Sequence, residues 1–396
     1  MLLLSLALGL LLFVWQLGST GLVDETPPLF AASARAMAET GDWLIPRVNG
    51  LPRYDKPPLV YWAMGLLYAL PGQSHWDPLG TWAARLPSAL ATVGTMQVLV
   101  HTLLVWPQAR RRRATTALAA ALAFALSPLV LLWGRIAVSD ALLTGTLAVS
   151  LLLCWRSYAA GGLRWWAGWL VLGLAVLAKG PVAVVLLGLT LLLFAWLQAD
   201  WRGLCQCLRP LRGLLLTALV ALPWYGAALV VEGEPFWRSF FGYHNLQRFT
   251  SVVNDHQAPW WFFGLMLVLA SLPVTPLLLH GLVRALRAPA LPPPLSLQRF
   301  AASWLMAVLL FFSLAATKLP SYWLPATPAA AVLIALAAQR RPRLPWRLSV
   351  LLALLLAAAL AAAPLWVPGI VTPEMPELPG ALLAGGRLTV AAVCFL

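Results

Sequence analysis

The stretch WWAGWLVLGLAVLAKGPVAVVLLGLTLLLFAWLQ, residues 165–198, carries a single charge, Lys179, in 34 residues. On either side of the Gly180–Pro181 break, the apolar runs approach the roughly 20 residues that cross the hydrocarbon core of a bilayer. Neither run alternates with period two, so each satisfies its backbone groups internally as a helix rather than as a barrel strand. Similar runs recur along the whole chain. Its 396 residues are 61% hydrophobic and only 10% charged, with 21 Trp, and a mean hydropathy of +0.82 lies far outside the soluble range. The sequence predicts an all-α polytopic membrane protein, one transmembrane domain over residues 1–396, with about 11–12 transmembrane helices. They are placed near 2–18, 86–106, 114–133, 137–155, 165–179, 181–198, 213–231, 260–283, 300–316, 323–338, 348–363 and 381–396.

The first run lacks a basic n-region and a small-residue cleavage site, and reads as an uncleaved helix. The closing LTVAAVCFL is apolar again, which fits a natural C-terminus that lies further on. Cys154, Cys205, Cys207 and Cys394 give neither a disulfide framework nor a zinc spacing.

A net charge of +14 suggests a nucleic-acid binder until the charges are located. The basic residues cluster in short loops, at 110–113, 156–164, 202–212, 284–299 and 340–347, which the positive-inside rule makes cytoplasmic. The acids were not used to set this topology and give an independent count. Of 13 Asp and Glu, only Asp200 falls on the cytoplasmic side. The other twelve gather in segments 19–85, 134–140, 232–259 and after 364, so the working face is external, and no nucleic-acid partner is expected.

Segment 19–85 is too long for a plain connector. PPLFAASARAMAET and PPLVYWAMGLLYAL each open on prolines and continue with helical apolar spacing. Both read as amphipathic helices of about 14 residues lying on the membrane interface. For the second, a transmembrane helix broken at Gly65 is the alternative. The Pro-rich APALPPPLSL, 288–297, reads as an extended cytoplasmic linker.

Charged residues on the external side are the candidates for chemistry. Asp24 and Glu25 follow the first helix in LVDETPP and offer a general base; the plain alternative is interfacial solvation. Asp55 and Lys56 in RYDKPP precede a Pro-Pro that fixes the backbone. Lys56 suits a phosphate as a point charge, while Asp55 can hold it, bind a metal or orient a histidine, unless the two are only a surface ion pair. Asp140, after Arg135 in RIAVSD, starts a span where a carboxylate is costly without a cavity or partner, although an N-cap also suits it. Lys179 in LAKGPVA and Lys318 in TKLPSYWLP are each lone external lysines beside prolines, which snorkelling explains only one at a time. The loop 236–263 carries Arg238, His244, Arg248, Asp255 and His256 among six Phe and three Trp, an arrangement suited to a sparse metal site or an anion clamp. Lys56, Lys179, Arg248 and Lys318 together supply cations for a lipid phosphate, with apolar walls for its tail and an acid left to deprotonate a nucleophile. No P-loop or GxGxxG accompanies them.

These motifs carry a resemblance. DETPPLFAASARAMAETGDWLIPRVNGLPRYDKPPLVYWAMGLLY (24–68) resembles the first external loop of bacterial C-type glycosyltransferases related to protein O-mannosyltransferases and to the lipid A aminoarabinose transferase. RLPSAL, RIAVSD, LAKGPVA, GYHNLQRF with HQAPWWFF, and TKLPSYWLP are similar to later motifs of that family in the same order, over roughly residues 1–340. The resemblance implies a transferase that takes a sugar from a polyprenyl-phosphate donor in the outer half of the bacterial plasma membrane and passes it, usually with inversion, to a glycolipid or protein acceptor. It implies that Asp24, with Glu25 beside it, is the main catalytic acid and Asp140 a second acid near the acceptor. Lys56, Arg248 and Tyr322 match phosphate-holding positions, with Tyr54, Lys179 and Lys318 joining the donor-binding set. Asp55 takes the place of a Glu that in some members touches a metal with a loop histidine, so a divalent metal with Asp55, His244 and His256 is a further expectation, though none is required. Thr26, Pro27 and Pro28 replace an arginine and an aromatic found in many relatives. A lipid-linked sugar flippase or other transporter is the competing reading, because the Lys179–Pro181 break is the kind of interruption that transporters use.

Overall fold

The computed structural model describes residues 1–106, 108, 112–252, 257–370 and 377–394, with the side chains of residues 248, 378, 381, 387 and 394 outside that description. Among the described residues the regular structure is helical apart from one two-stranded hairpin. Among the described residues, six helices are long and apolar enough to cross a membrane: Thr81–Val105, Asp140–Ala159, Pro210–Glu232, Leu297–Leu314, Pro320–Ala338 and Arg343–Ala361. Burial separates their roles. The apolar window of Pro320–Ala338 is 89% buried and that of Arg343–Ala361 only 11%, so the first is the centre of the bundle and the second faces outward along most of its length.

The expected span 260–283 is a bent pair, Phe262–Ala270 and Thr275–Arg287, turned by 115°. Pro273 in the break removes a backbone donor from any continuing helix, and Ser271 and Thr275 take carbonyls at the end of the first half, Ser271 Oγ that of Leu267 at 2.6 Å and Thr275 Oγ1 that of Val268 at 3.0 Å. Four more expected spans are shorter apolar helices: α1 (Leu2–Phe13), Arg113–Ala125, Trp166–Lys179 and Val182–Gln198.

The first external segment folds as the proline-led runs imply. Helix α2 (Thr26–Thr40) has prolines in its first turn and ends on Gly41 in the left-handed region, φ 76°. Helix α3 (Leu59–Tyr68) follows Pro57 and Pro58. At ten residues it is about 15 Å long, half of a bilayer core. Gly65 does not break it: a Cβ there would lie 2.9 Å from the Trp43 ring and 3.1 Å from the Ala34 carbonyl, so the missing side chain lets α2 and α3 approach. Phe30 stacks on Tyr61 between them at 5.2 Å.

A two-stranded hairpin, β1 (Arg47–Val48) and β2 (Leu51–Pro52), pairs Arg47 with Pro52 and Val48 with Leu51. Its turn is Asn49–Gly50, both at positive φ, as a two-residue hairpin turn requires. On the opposite side of the bundle the Pro-rich segment is pinned rather than free: Gln108 donates to the Pro294 carbonyl at 2.9 Å, and Gln198 and Arg299 donate to the carbonyls of Leu291 and Ala288.

Candidate active site

One cavity of about 1070 Å³ collects the external motifs, at the upper end of the range for ligand pockets. Asp24, Glu25, Asp55, Lys56, Asp140, Lys179, His244 and Tyr322 all line it. Its apolar wall includes Phe30, Trp133, Phe241, Phe311 and Phe312.

Asp24 reaches the cavity because the chain before it is held. The end of α1 is clamped by two arginines: Arg135 donates to the carbonyls of Leu12 at 2.7 Å and Trp15 at 2.9 Å, and Arg85 to those of Leu17, Thr20 and Gly21 at 2.7–2.9 Å. Arg135 of RIAVSD therefore neutralises the carbonyl end of the first helix, where cations are favoured, and Arg85 of RLPSAL holds the segment that follows it. Asp24 itself is exposed, has φ 79°, and accepts the Glu25 N–H on Oδ1 at 2.7 Å. Its other oxygen has no partner among the described residues.

Asp55 is engaged on both oxygens. Arg53 Nη2 donates to Oδ2 at 2.9 Å and Lys56 Nζ to Oδ1 at 3.1 Å, with 18% of the Asp55 side chain exposed. Burial pushes this carboxyl up, but the charges of Lys56, Arg53 and His244 outweigh it and hold Asp55 well below the usual carboxylate range. A divalent ion at Asp55 would have to displace a cation already in place, and among the described residues no three His, Cys, Asp or Glu side chains converge. Asp55 and His244 by themselves do not make a metal site among the described residues; His256, the third expected ligand, lies outside the described residues, as does the side chain of Arg248.

Asp140 and Lys179 form the second pair, Nζ to Oδ1 at 2.6 Å, with 12% and 14% of their side chains exposed. The Lys179 ammonium also stands 5.2 Å from the Tyr322 ring centroid, and Tyr322 stacks on Phe312 at 4.9 Å. Lys56 lies near enough to act electrostatically on Asp140 as well as on Asp55, so the two pairs make one charge cluster. Asp140 is the first residue of its helix, but its side chain makes no cap.

Two residues expected at the phosphate are elsewhere. Lys318 donates to the Ala315 carbonyl at 2.7 Å and closes the end of the preceding helix. Tyr54 gives its hydroxyl to Glu232 at 2.5 Å, and burial together with that carboxylate pushes its phenol up to about 12. Neither lines the cavity. Sequence reasoning missed Glu232, although an acid closing an apolar span is a signal that it needs a partner.

The second external segment is seated on the same cluster. Gly180, at φ 97° and ψ −162°, lies under Phe240 and Asn245, which a Cβ would meet at 3.2 and 3.4 Å. The Phe249 carbonyl accepts from Ala316 N–H at 3.0 Å, and Thr317 Oγ1 donates to Ser251 at 3.0 Å, joining this segment to TKLPSYWLP.

Residues 55–226 match the family described as dolichyl-phosphate-mannose-protein mannosyltransferase. The undecaprenyl phosphate-alpha-4-amino-4-deoxy-L-arabinose arabinosyl transferase of Pseudomonas aeruginosa strain UCBPP-PA14 is 34% identical over 86% of this chain and 60% of its own length. An uncharacterized Aquifex aeolicus protein is 31% identical over 81% of this chain and 68% of its own. The chain thus spans about 60% of the length of the first curated relatives it matches. Among solved structures, ArnT from Cupriavidus metallidurans bound to undecaprenyl phosphate superposes with a TM-score of 0.83 at 26% identity, over 99% of this chain and 69% of that one. The archaeal oligosaccharyltransferase AglB from Archaeoglobus fulgidus shares the fold, at a TM-score of 0.54 and 14% identity. By its motifs, its fold and these matches, the chain is an integral-membrane protein that belongs to the dolichyl-phosphate-mannose-protein mannosyltransferase family.

Proposed function

We propose that the chain is a membrane glycosyltransferase that moves a sugar from a polyprenyl-phosphate donor to a glycolipid or protein acceptor, at the periplasmic face of the bacterial inner membrane. The observation that carries this reading is the joint charge cluster of Lys56 and Lys179, each held by an acid, in a cavity walled by aromatic rings. The two lysines are the phosphate-binding charges, with Tyr322 beside them. When a phosphate draws Lys56 away, Arg53 still balances Asp55, so the cation becomes available without leaving a buried carboxylate uncompensated.

In the reaction, an acceptor oxygen attacks the anomeric carbon while the Asp24 carboxylate takes its proton. The bond from that carbon to the phosphate oxygen breaks, and its electron pair leaves with the polyprenyl phosphate. Lys56 and Lys179 meet the charge that grows there, which is electrostatic stabilisation of the transition state. No general acid is needed for a phosphate leaving group. The broken helix at Gly180 serves this site rather than a transport path, since Lys179 and Pro181 on either side of it line the same cavity.

The relatives' names make undecaprenyl phosphate the carrier and 4-amino-4-deoxy-L-arabinose the sugar to test first, and the resemblance to the lipid A aminoarabinose transferase makes lipid A the acceptor to test first. Purified protein in nanodiscs, supplied with that donor and acceptor, should yield glycosylated acceptor and free undecaprenyl phosphate. Movement of labelled donor across vesicles with no chemical change would favour a transporter instead.

A further inference from the structure

We infer that Tyr54 and Glu232 form a latch between the two external segments and are positioning residues for the phosphate end of the cavity. The latch rests on the reading of Lys56 as a phosphate contact. Glu232 is the last residue of Pro210–Glu232, and 14% of its side chain is exposed. Its carboxylate is shared between two donors from the first external segment: Tyr54 Oη at 2.5 Å on one oxygen and Arg47 Nη2 at 2.7 Å on the other. Arg47 is steadied in turn by Asp42 at 3.3 Å. A half-buried carboxylate that accepts one charged and one neutral donor is satisfied on both sides, and such charge-assisted bonds are the strong ones.

The position of the latch gives it a function. Tyr54 is followed directly by Asp55 and Lys56, so fixing its side chain fixes the backbone from which both enter the cavity. Glu232 is followed by Gly233, at φ 63°, and then by the π-helical Trp237–Gln247, which carries His244 to the cavity wall. Phe236 repeats the link in apolar form, edge-on to Tyr54 at 5.7 Å and stacked on Phe240 at 5.6 Å; Phe240 in turn covers Gly180, next to Lys179. One polar and one aromatic contact thus tie the segment bearing Lys56 to the segment that covers Lys179. Tyr54 does not line the cavity, so it acts through Lys56 rather than on the ligand.

The test compares wild type with Tyr54→Phe, Glu232→Gln, Glu232→Asp and the Tyr54→Phe/Glu232→Gln double variant in nanodiscs. Tyr54→Phe keeps the ring and its contact with Phe236, so the variant loses only the hydroxyl. Each single removal should weaken undecaprenyl phosphate binding and raise the donor KM by roughly tenfold, the scale of one hydrogen bond to a charged group, with kcat changed less than twofold. The double variant should be no worse than the weaker single one, since both break the same bond, and Glu232→Asp should recover part of the loss. Amide exchange over 53–58 and 234–245 should rise in Tyr54→Phe whether or not lipid is present. A fall in kcat at unchanged KM, additive effects in the double variant, or unchanged exchange overturns the latch. A wild type with no transferase activity overturns the proposed function instead, and the latch is then judged on the exchange measurement.

Discussion

Lys179 stands 2.6 Å from Asp140 and 5.2 Å from the Tyr322 ring centroid, so one ammonium group joins two motifs that lie far apart in sequence. Both members of the ion pair are more than four-fifths covered, where removing one charge strands the other. Lys179→Ala should therefore destabilise the protein by about 3 kcal/mol, the low end of the range for broken buried pairs because a little solvent reaches this one. Lys179→Met combined with Asp140→Asn should recover most of that loss while transfer stays abolished. Thermal unfolding in detergent separates the two effects; equal instability in the single and double variants would show that the pair is not the cause.

Asp24 and its neighbour Glu25 differ from the other cavity acids by lacking a cation. Asp55 has Arg53 and Lys56, and Asp140 has Lys179, whereas no described residue forms a salt bridge with Asp24. An acid already committed to a cation is a poor base, so proton abstraction falls to the Asp24–Glu25 pair, in which the family resemblance makes Asp24 the base. Asp24→Asn should lower kcat by about 10²–10⁴, the usual contribution of a positioned base, with undecaprenyl phosphate binding unchanged. Equal transfer rates for the variant and wild type would remove Asp24 from the mechanism.

The gathering of Asp24, Asp55, Lys56, Asp140 and Lys179 into one site was legible in the sequence, because the acids and lone lysines fall in a few segments apart from the arginine-rich loops. The pairing of Asp140 with Lys179 was not: each was singled out, but no local pattern joins residues 39 positions apart. Tyr54 and Lys318 show the same limit from the other side. Residue type and position made Lys318 a phosphate candidate and the resemblance added Tyr54, yet a side chain's direction depends on packing, and theirs lead to a helix end and to Glu232. The break at Pro273 and the Asn49–Gly50 hairpin did have local signals, in the lost donor of proline and the turn preference of Asn-Gly. The apolar runs around them outweighed those signals in a reading based on hydropathy.

Gly180 has a backbone that other residues adopt only under strain, and Phe240 covers the space a Cβ would fill. Gly180→Ala should cost about 1–3 kcal/mol from the backbone alone and displace the second external segment. Limited proteolysis within 237–252 should quicken in this variant, and unchanged cleavage would mean that the segment does not depend on Gly180.

Asp55 sets the pH range over which the charge cluster survives. Its usual value is 3.8, and in the folded protein Lys56, Arg53 and His244 overcome the opposing effect of burial to lower it. A depressed folded value means that the unfolded chain takes up the proton first as pH falls. The contribution of Asp55 to stability is thus full above the unfolded value and is lost as pH falls from there through the lower folded one. Between pH 5 and 8 the Asp55 carboxylate should stay ionised, so any bell-shaped rate profile in that window reports other groups. Arg53→Gln removes one of the opposing charges, and the acid limb of its stability curve should move to higher pH than in wild type. Because both Asp55 oxygens are already held by cations, treatment with a chelator should leave transfer within about twofold of the untreated rate, well under the loss expected when a metal ligand's support is removed. A chelator-sensitive rate restored by added divalent metal would show instead that Asp55 releases a cation to bind the ion.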